Sequence, residues 1–396
     1  MTPNEAFPKD FIWGTAISAH QVEGGGRNDW TVWESTRKGK DPSGHAADFY
    51  HRYDQDFQLA SQVLHNNSIR LSLEWARIVP EEGRIDQKEI EHYRNVLLDA
   101  REQNLSPMVT LHHFTNPVWF ADKGGWTKKE NIEHFLNYIS ICKEHFGELA
   151  DYFVTINEPN VYASQSYLWG SWPPQRKNPI LAYKVYQNLV EAHRGAYSLL
   201  VKDKPIGFSI NMQDYRGFPP LAKLTGRLLN DSFLDLTRGT YTFIGINYYK
   251  PKYVTPVFRR KALRRSEFGW EIDSAGLYNV VMRAWSRYHL PIFITENGVS
   301  DSTDTLRPEF VSDHLACLLE AIKCGADVRG YYYWSLYDNF EWAEGYKQKF
   351  GLFEIDFSDP VLKRIQRESA ELYGRIAKTG RLPLAKDKLS SRHDLK

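Results

Sequence analysis

The feature that most constrains the fold of this chain is a series of eight short runs of β-branched and aromatic residues. Longer segments that mix polar and apolar residues separate these runs. Each run is apolar at consecutive positions, which is typical of strands that are buried on both faces. The eight predicted strands are Phe11–Ala16, Ile69–Leu73, Pro107–His112, Phe153–Asn157, Ile206–Ile210, Phe243–Tyr248, Pro291–Thr295 and Gly330–Trp334. Strands that alternate with helical segments indicate a parallel sheet with crossover helices.

The segments between these runs carry apolar residues at the 3.6-residue period of an amphipathic helix. The predicted helices include Lys88–Gln103, Asn131–Phe146, Ile180–Lys202, Ala275–Tyr288 and Pro308–Cys324. Eight strand–helix units are the number that closes a (β/α)₈ barrel, and 396 residues suit such a barrel with loop insertions. The sequence therefore predicts an α/β chain folded as a single-domain TIM barrel over residues 1–383, followed by a frayed polar tail over residues 384–396.

Composition excludes several classes of function. The 50 lysines and arginines balance 49 aspartates and glutamates, so no strong field attracts nucleic acid or anionic lipid. No apolar run reaches the roughly 18 residues of a membrane-spanning helix, and Phe11–Ala19 lacks the positive flank of a signal peptide. Cys142, Cys317 and Cys324 match neither a disulfide framework nor a zinc site. We expect a cytoplasmic protein without metal or other cofactor, nucleic-acid partner or membrane partner; its oligomeric state stays open.

The active site of such a barrel lies at the carboxyl ends of its strands. The polar and aromatic candidates there are His20, Gln21, Glu23, Arg70, Glu74, His112, His113, Asn157, Glu158, Asn247, Tyr249, Glu296, Asn297, Trp334, Asp338, Glu341 and Trp342. They include no cysteine nucleophile, no Gly-x-Ser-x-Gly motif and no glycine-rich phosphate loop. Amides and aromatic rings around paired acids favour a neutral ligand with many hydroxyl groups.

Glu158 and Glu296 follow the fourth and seventh predicted strands, and each lies beside an asparagine. A single glutamate at a strand end more often pairs with a cation, here Arg70, or caps the next helix. Two glutamates on opposite sides of a barrel face each other across the pocket, and glycoside hydrolysis needs paired carboxylates that flank one bond. Asn157 and Glu158 can both reach that pocket only if the strand is irregular at its end, because neighbouring strand residues point to opposite faces.

Several motifs resemble those of glycoside hydrolase family 1, the β-glucosidase family. TINEPN at residues 155–160 and ITENG at residues 294–298 resemble its two catalytic signatures, and FIWGTAISAHQVEGG at residues 11–25 resembles its amino-terminal segment. SLYDNFEW at residues 335–342 and KFGLFEIDF at residues 349–357 resemble its closing segment. The resemblance extends from about residue 7 to about residue 380. It implies a (β/α)₈ barrel and a retaining β-glycosidase that hydrolyses through a covalent glycosyl-enzyme.

The resemblance also implies a role for each matched position. Glu158 would be the general acid/base and Glu296 the nucleophile, with Arg70 and Tyr249 supporting the nucleophile. The positions that would bind the sugar are Gln21, His113, Asn157, Asn247, Tyr249, Trp334, Glu341 and Trp342. For His113 and the tryptophans, core packing is the alternative, and it is the main interpretation of His112. Adjacent histidines on a strand make poor metal-ligand geometry, so no metal is expected.

The implied activity is that of a β-glucosidase acting on β-glucosides and cello-oligosaccharides. A β-galactosidase or β-fucosidase of the same family is the first alternative, and a non-catalytic sugar-binding barrel is an alternative of another class. Family members that use 6-phospho-glycosides carry serine at the position of Glu341 and tyrosine at that of Phe350, so the acid here disfavours phosphorylated sugars. Phe114 replaces a tryptophan of the family, and the loops after the fourth, fifth and sixth strands are short, which predicts a wider and shallower cleft.

Overall fold

A computed structural model describes residues 6–200, 204–255 and 263–383, and its strands close into one parallel barrel. Strands β1 to β8 span Ile12–Ala16, Ser68–Ser72, Ser106–Thr110, Tyr152–Asn157, Ile206–Asn211, Ile244–Asn247, Ile292–Asn297 and Val328–Trp334. Each strand pairs in parallel with the next, and β8 closes the ring against β1 with Trp334 opposite Ala16. The predicted fold is confirmed, while the predicted tail, residues 384–396, lies outside the described residues.

The longer helices lie between successive strands, except for the last one, which follows β8. They span Asp29–Ser35, Phe49–Gln58, Gln87–Glu102, Ile132–Phe146, Pro179–Leu200, Pro219–Gly226, Ser274–Tyr288, Arg307–Lys323 and Glu368–Thr379. Shorter helices span Ala19–Val22, Trp75–Ile78, Val118–Asp122, Pro159–Ala163 and Ser232–Leu236. The predicted helices begin within one residue of the observed ones; the predicted end at Lys202 lies outside the described residues.

One helix shows how the sequence sets these boundaries. Gln87–Glu102 begins after Asp86, whose carboxylate accepts a hydrogen bond from the backbone amide of Lys88 at 3.0 Å. This cap satisfies an amide that has no partner within the helix. Ile90, Tyr93 and Leu97 then bury the stripe that faces the barrel.

Successive side chains of each strand point to opposite faces, one toward the helices and the other toward the barrel interior. Ile69 and Leu71 of β2 belong to the large apolar cluster between strands and helices, whereas Arg70 between them points into the barrel and reaches Glu296 of β7. A second apolar cluster, to which different strands contribute, fills the barrel interior with Ala16, Met108, Val154, Phe243, Phe293, Tyr332, Trp334 and Phe350. The polar residues at the strand ends therefore rest on an apolar floor.

Two short sheets outside the barrel were not predicted. Asp214–Arg216, after β5, pairs in parallel with Pro251–Tyr253, after β6. Phe353–Ile355 pairs in antiparallel fashion with Arg364–Gln366. The first of these extends the barrel wall upward beside β5 and β6, at the end where the strand-end side chains lie. Among the described helices, none combines the length and the hydropathy that a membrane span requires.

Candidate active site

A cleft of about 390 Å³ opens at the carboxyl ends of the strands. The predicted residues that line it are His113, Asn157, Glu158, Tyr249, Glu296, Trp334, Glu341 and Trp342. The remaining predicted residues, Gln21, Arg70 and Asn247, are buried behind this lining and hydrogen-bond to it. A larger cavity, of about 640 Å³, is lined by none of the predicted residues.

The end of β4 has an irregular backbone. The register between β4 and β5 shifts between Val154 and Asn157, and Glu158 adopts a left-handed conformation with φ of 44°. Pro159 then begins the helix Pro159–Ala163, where its missing amide hydrogen costs nothing. As a result, Asn157 and Glu158 both face the cleft although they are neighbours in the chain.

Amide groups surround the carboxyl group of Glu158. Its Oε1 accepts hydrogen bonds from Nδ2 of Asn247 at 2.8 Å and from Nδ2 of Asn211 at 2.9 Å. Burial and, to a smaller extent, the nearby charge of Glu296 raise the pKa of Glu158 to about 8, against the lowering effect of these amides. The carboxyl group is therefore protonated at neutral pH and can donate a proton.

A cation and a phenol surround the carboxyl group of Glu296. Its Oε1 accepts from the guanidinium of Arg70, and its Oε2 accepts from the hydroxyl of Tyr249 at 2.7 Å. The guanidinium also forms an ion pair with this carboxylate. The chain can pass beside β8 at this point only because residue 298 is glycine, since a Cβ on Gly298 would lie 1.8 Å from the carbonyl oxygen of Trp334. Glu296 therefore does both things considered from the sequence: it forms an ion pair with Arg70, and it lines the cleft.

A continuous set of hydrogen bonds joins the two carboxyl groups. Arg70, which binds Glu296, also donates from Nη2 to Oδ1 of Asn157 at 2.7 Å. Asn247, which binds Glu158, donates to the same oxygen of Asn157 at 3.2 Å. All of these side chains are buried. The network therefore fixes one carboxyl group relative to the other.

The wall formed by β1, β3 and β8 carries polar and aromatic groups that suit a sugar ring. Gln21 donates from Nε2 to Oε2 of Glu341 at 3.4 Å, and burial, with the charge of Glu296, raises the pKa of Glu341 to about 8. The ring of His113 is nearly parallel to that of Trp342, with centroids 6.0 Å apart. Such flat apolar faces beside hydrogen-bonding groups match the two kinds of surface on a pyranose.

His113 is held in a defined state. Its Nε2 accepts a hydrogen bond from Nδ2 of Asn157 at 3.0 Å, and burial keeps its pKa well below the usual range. The ring is therefore neutral. It stacks on Trp334 as well, with an angle of 23° between the rings.

Sequence reasoning missed several residues that line the cleft: Trp172, Asn211, Gln213, Lys250, Phe268 and Trp270. Asn211 ends β5 as Asn157 ends β4, so its position at a strand end was a usable signal. The two tryptophans lie in loops, and no local pattern indicates where those loops run. Phe114 lines the cleft and contacts Trp172, with ring centroids 4.9 Å apart.

Other strand-end residues serve the framework instead of the cleft. Each binds a buried or half-buried partner: His20 with Glu34, Glu23 with Arg77, Glu74 with Thr115, His112 with Asn116 and Asp338 with Arg367. Burial lowers the pKa of His112 to about 4, as expected for a neutral core histidine. In the described part of the chain, no group of three or more His, Cys, Asp or Glu could hold a metal ion.

Comparisons with known proteins agree with this geometry. The profile of Glycosyl hydrolase family 1 matches residues 3–223 and 225–381. Beta-glucosidase A of Thermotoga maritima is 29% identical over 442 residues, which cover 95% of this chain and 98% of that protein. A 6-phospho-beta-galactosidase of Leptotrichia buccalis is 30% identical over 470 residues, which cover 95% of this chain and 99% of that protein. The solved structure of a beta-glycosidase from Pyrococcus horikoshii has a TM-score of 0.90 and 35% identity, covering 100% of this chain and 99% of that one.

Proposed function

The chain belongs to glycosyl hydrolase family 1, and we propose that it is a retaining β-glucosidase with Glu158 as general acid/base and Glu296 as nucleophile. The observation that carries this proposal is the contrast between two carboxyl groups in one cleft. Glu296 faces a guanidinium and a phenol, whereas Glu158 is buried among amides with its pKa raised to about 8. One group is suited to attack as an anion and the other to donate a proton.

In the first step, an oxygen of Glu296 forms a bond to the anomeric carbon while the bond from that carbon to the leaving oxygen breaks. Glu158 gives its proton to the leaving oxygen, so the aglycone departs as a neutral alcohol. Arg70 and Tyr249 hold the attacking carboxylate in place. Asn157, fixed by Arg70, is positioned to bind the sugar 2-hydroxyl, a contact that strengthens in the transition state.

In the second step, a water molecule attacks the same carbon and releases Glu296. Glu296 carries no charge while it is esterified, so one cause of the raised pKa of Glu158 has disappeared. Glu158, which lost its proton in the first step, can remain ionised and accept a proton from the water. Two inversions at one carbon give net retention of the β configuration.

We propose β-glucosides, including cello-oligosaccharides, as the main substrates and β-galactosides as a second group. The paired Gln21 and Glu341 would bind the sugar hydroxyls, and the rings of Trp334 and Trp342 would lie against its apolar surface. The name of the Leptotrichia buccalis relative raises the alternative of a 6-phospho-sugar. Glu341 argues against it, because a phosphate dianion has no cation on that wall among the described lining residues.

The experiment is an assay of the purified protein on 4-nitrophenyl glycosides, with proton NMR of the sugar that is released first. We expect hydrolysis of the β-glucoside with β-glucose as the first product, slower hydrolysis of the β-galactoside and β-fucoside, and the slowest reaction on the β-glucoside 6-phosphate. α-Glucose as the first product would exclude retention. Binding of the glucoside without hydrolysis would favour the non-catalytic sugar-binding barrel.

We also propose a cytoplasmic location and a role in carbohydrate metabolism. The support is that Cys142, Cys317 and Cys324 are all free thiols, as is usual in a reducing compartment. Cell fractionation tests this directly, since the activity should follow a cytosolic marker. Activity that follows a secreted marker would contradict the proposed location.

A further inference from the structure

The cleft continues outward past Glu158 along the segments that follow β5 and β6. Asn211 ends β5 and donates to Glu158, and Gln213 lines the cleft two residues later. Lys250 lines the same wall after β6, next to the short strand Pro251–Tyr253. Under the proposed function Glu158 protonates the leaving oxygen, so this wall faces the leaving group.

Lys250 has an unusual environment for a lysine in a sugar-binding cleft. Its Nζ lies 4.2 Å from the centroid of the Trp270 ring, and Trp270 stacks on Phe268 with centroids 4.2 Å apart. Within the described residues, the charged group that acts on its ammonium is another lysine, Lys252. Burial lowers the pKa of Lys250 to about 8, so the ammonium is still charged at neutral pH.

The charge of Lys250 stands out against the rest of the lining. The cleft is lined by the carboxyl groups of Glu158, Glu296, Glu341 and Glu344, and Lys250 is the one lysine or arginine among its described lining residues. An anionic leaving group that entered this cleft would be repelled by ionised Glu296. Lys250 is positioned to offset that repulsion at the outer end, beside aromatic rings that can pack against a second ring.

We propose that Lys250, Phe268 and Trp270 form a subsite for an aromatic leaving group that carries a carboxylate. The chain would then favour β-glucosides of hydroxybenzoic acids over glucosides of the corresponding neutral phenols. The ammonium of Lys250 donates to the carboxylate, and the phenyl ring packs against the Phe268–Trp270 pair. This inference rests on the proposed function, because that function defines which wall faces the leaving group.

The plain alternative is that the ammonium of Lys250 only makes a cation–π contact with the face of Trp270. The test compares two thioglycosides that resist hydrolysis, phenyl 1-thio-β-D-glucoside and 4-carboxyphenyl 1-thio-β-D-glucoside, by isothermal titration calorimetry. The variants are Lys250→Met, which keeps the stem, and Lys250→Arg, which keeps the charge. Lys252→Met is the matched control, since it removes a nearby exposed lysine that does not line the cleft.

We expect the wild-type protein to bind the carboxylate compound about three- to tenfold more tightly than the neutral one at low ionic strength, as for a partly exposed charge pair. Lys250→Met should remove this preference without weakening the binding of the neutral compound. Lys250→Arg and Lys252→Met should keep it. Equal affinities in the wild-type protein, an unchanged preference in Lys250→Met, or an equal loss in Lys252→Met would each overturn the proposal.

The binding measurement does not depend on turnover, so it separates this inference from the proposed function. Hydrolysis of 4-nitrophenyl β-D-glucoside is measured on the same wild-type preparation. A wild-type protein that binds both thioglucosides but does not hydrolyse the nitrophenyl glucoside would refute the proposed function alone. A protein that hydrolyses it without any preference between the thioglucosides would refute the subsite alone.

Discussion

Glu158 and Glu296 are the same residue type at the ends of two barrel strands and both are buried, yet different groups contact their carboxyl groups. Glu296 on β7 binds the guanidinium of Arg70 and the phenol of Tyr249. Among the described residues, the side chains that hydrogen-bond to Glu158 after β4 are the neutral amides of Asn211 and Asn247, and Glu158 is buried beside the charge of Glu296.

The difference shows that the surrounding residues, and not the residue type, suit each of the two glutamates to a different chemical role. A cation at β2 forms an ion pair with the carboxyl group at β7, and the charge of that group in turn favours the protonated acid after β4. Changing one glutamate or one of its partners should affect one step of the reaction, and the other step should remain measurable.

The largest effect should come from removing the carboxylate of Glu296. Glu296→Ala should lower kcat on every β-glucoside by on the order of 10⁵-fold, because it removes the carboxylate that forms the covalent bond. Initial rates on 4-nitrophenyl and alkyl β-glucosides check this. Glu91→Ala, on an exposed helix face, is the control for handling and folding. A loss that varied strongly with the leaving group would mean that Glu296 acts on the leaving oxygen instead.

Removing Glu158 should have a smaller effect that depends on the leaving group. Glu158→Ala should slow formation of the glycosyl-enzyme about 10²- to 10⁴-fold for an alkyl glucoside, whose leaving oxygen needs a proton. For 2,4-dinitrophenyl β-glucoside, whose leaving oxygen needs no proton, the rate constant of the dinitrophenol burst should fall by about tenfold or less. Stopped-flow bursts measure this step directly. Equal losses on both substrates would contradict the role of proton donor.

The raised pKa of Glu158 should also be visible in stability. Its folded-state pKa of about 8 exceeds the unfolded value near 4.5, so the protonated form stabilises the fold fully below pH 4.5, and this stabilisation is lost as pH rises through 8. Glu158→Gln removes the titration. The free energy of unfolding of this variant, relative to wild type, should rise by about 3 to 4 kcal/mol between pH 5 and pH 8. Urea denaturation at both pH values tests it, and a difference independent of pH would count against the raised pKa.

The smallest predicted effect is a shift in the basic limb of the pH profile. Asn211 donates a hydrogen bond to Glu158 and so lowers the pKa of Glu158. Asn211→Leu should therefore move the basic limb of the kcat/KM profile to higher pH by about half a unit. Glu341 also titrates near pH 8, but Asn211 contacts Glu158, so the shift reports on the acid. Gln165→Leu, which changes an amide elsewhere in the cleft lining, is the matched control. An equal shift in both variants would remove the specific link to Glu158.

Much of the barrel could be predicted from sequence because parallel strands are buried on both faces and appear as continuous apolar runs. Ile69–Leu73, for example, was predicted for a strand that spans Ser68–Ser72. The irregular end of β4 was also predictable, since Asn157 and Glu158 could not otherwise share one face. The short strands Asp214–Arg216 and Pro251–Tyr253 were missed because three residues carry no usable periodicity.

The site was only partly predictable, because a strand end shows which residues are near a pocket but not what they bind. Glu23 and Glu74 resemble Glu158 in sequence position, yet they bind Arg77 and Thr115 inside the framework. The fold had to bring those partners together before the difference was visible. Trp270 reaches the cleft through a loop whose path depends on tertiary packing.

The most direct test of the central claim is the anomer of the glucosyl azide that each glutamate variant forms from 2,4-dinitrophenyl β-D-glucoside in azide. In Glu296→Ala, azide can enter from the face that the nucleophile has left, so we expect α-glucosyl azide by proton NMR. In Glu158→Ala, azide should attack the glycosyl-enzyme from the opposite face and give β-glucosyl azide. The same anomer from both variants, or the reverse assignment, would contradict the division of roles between the two glutamates.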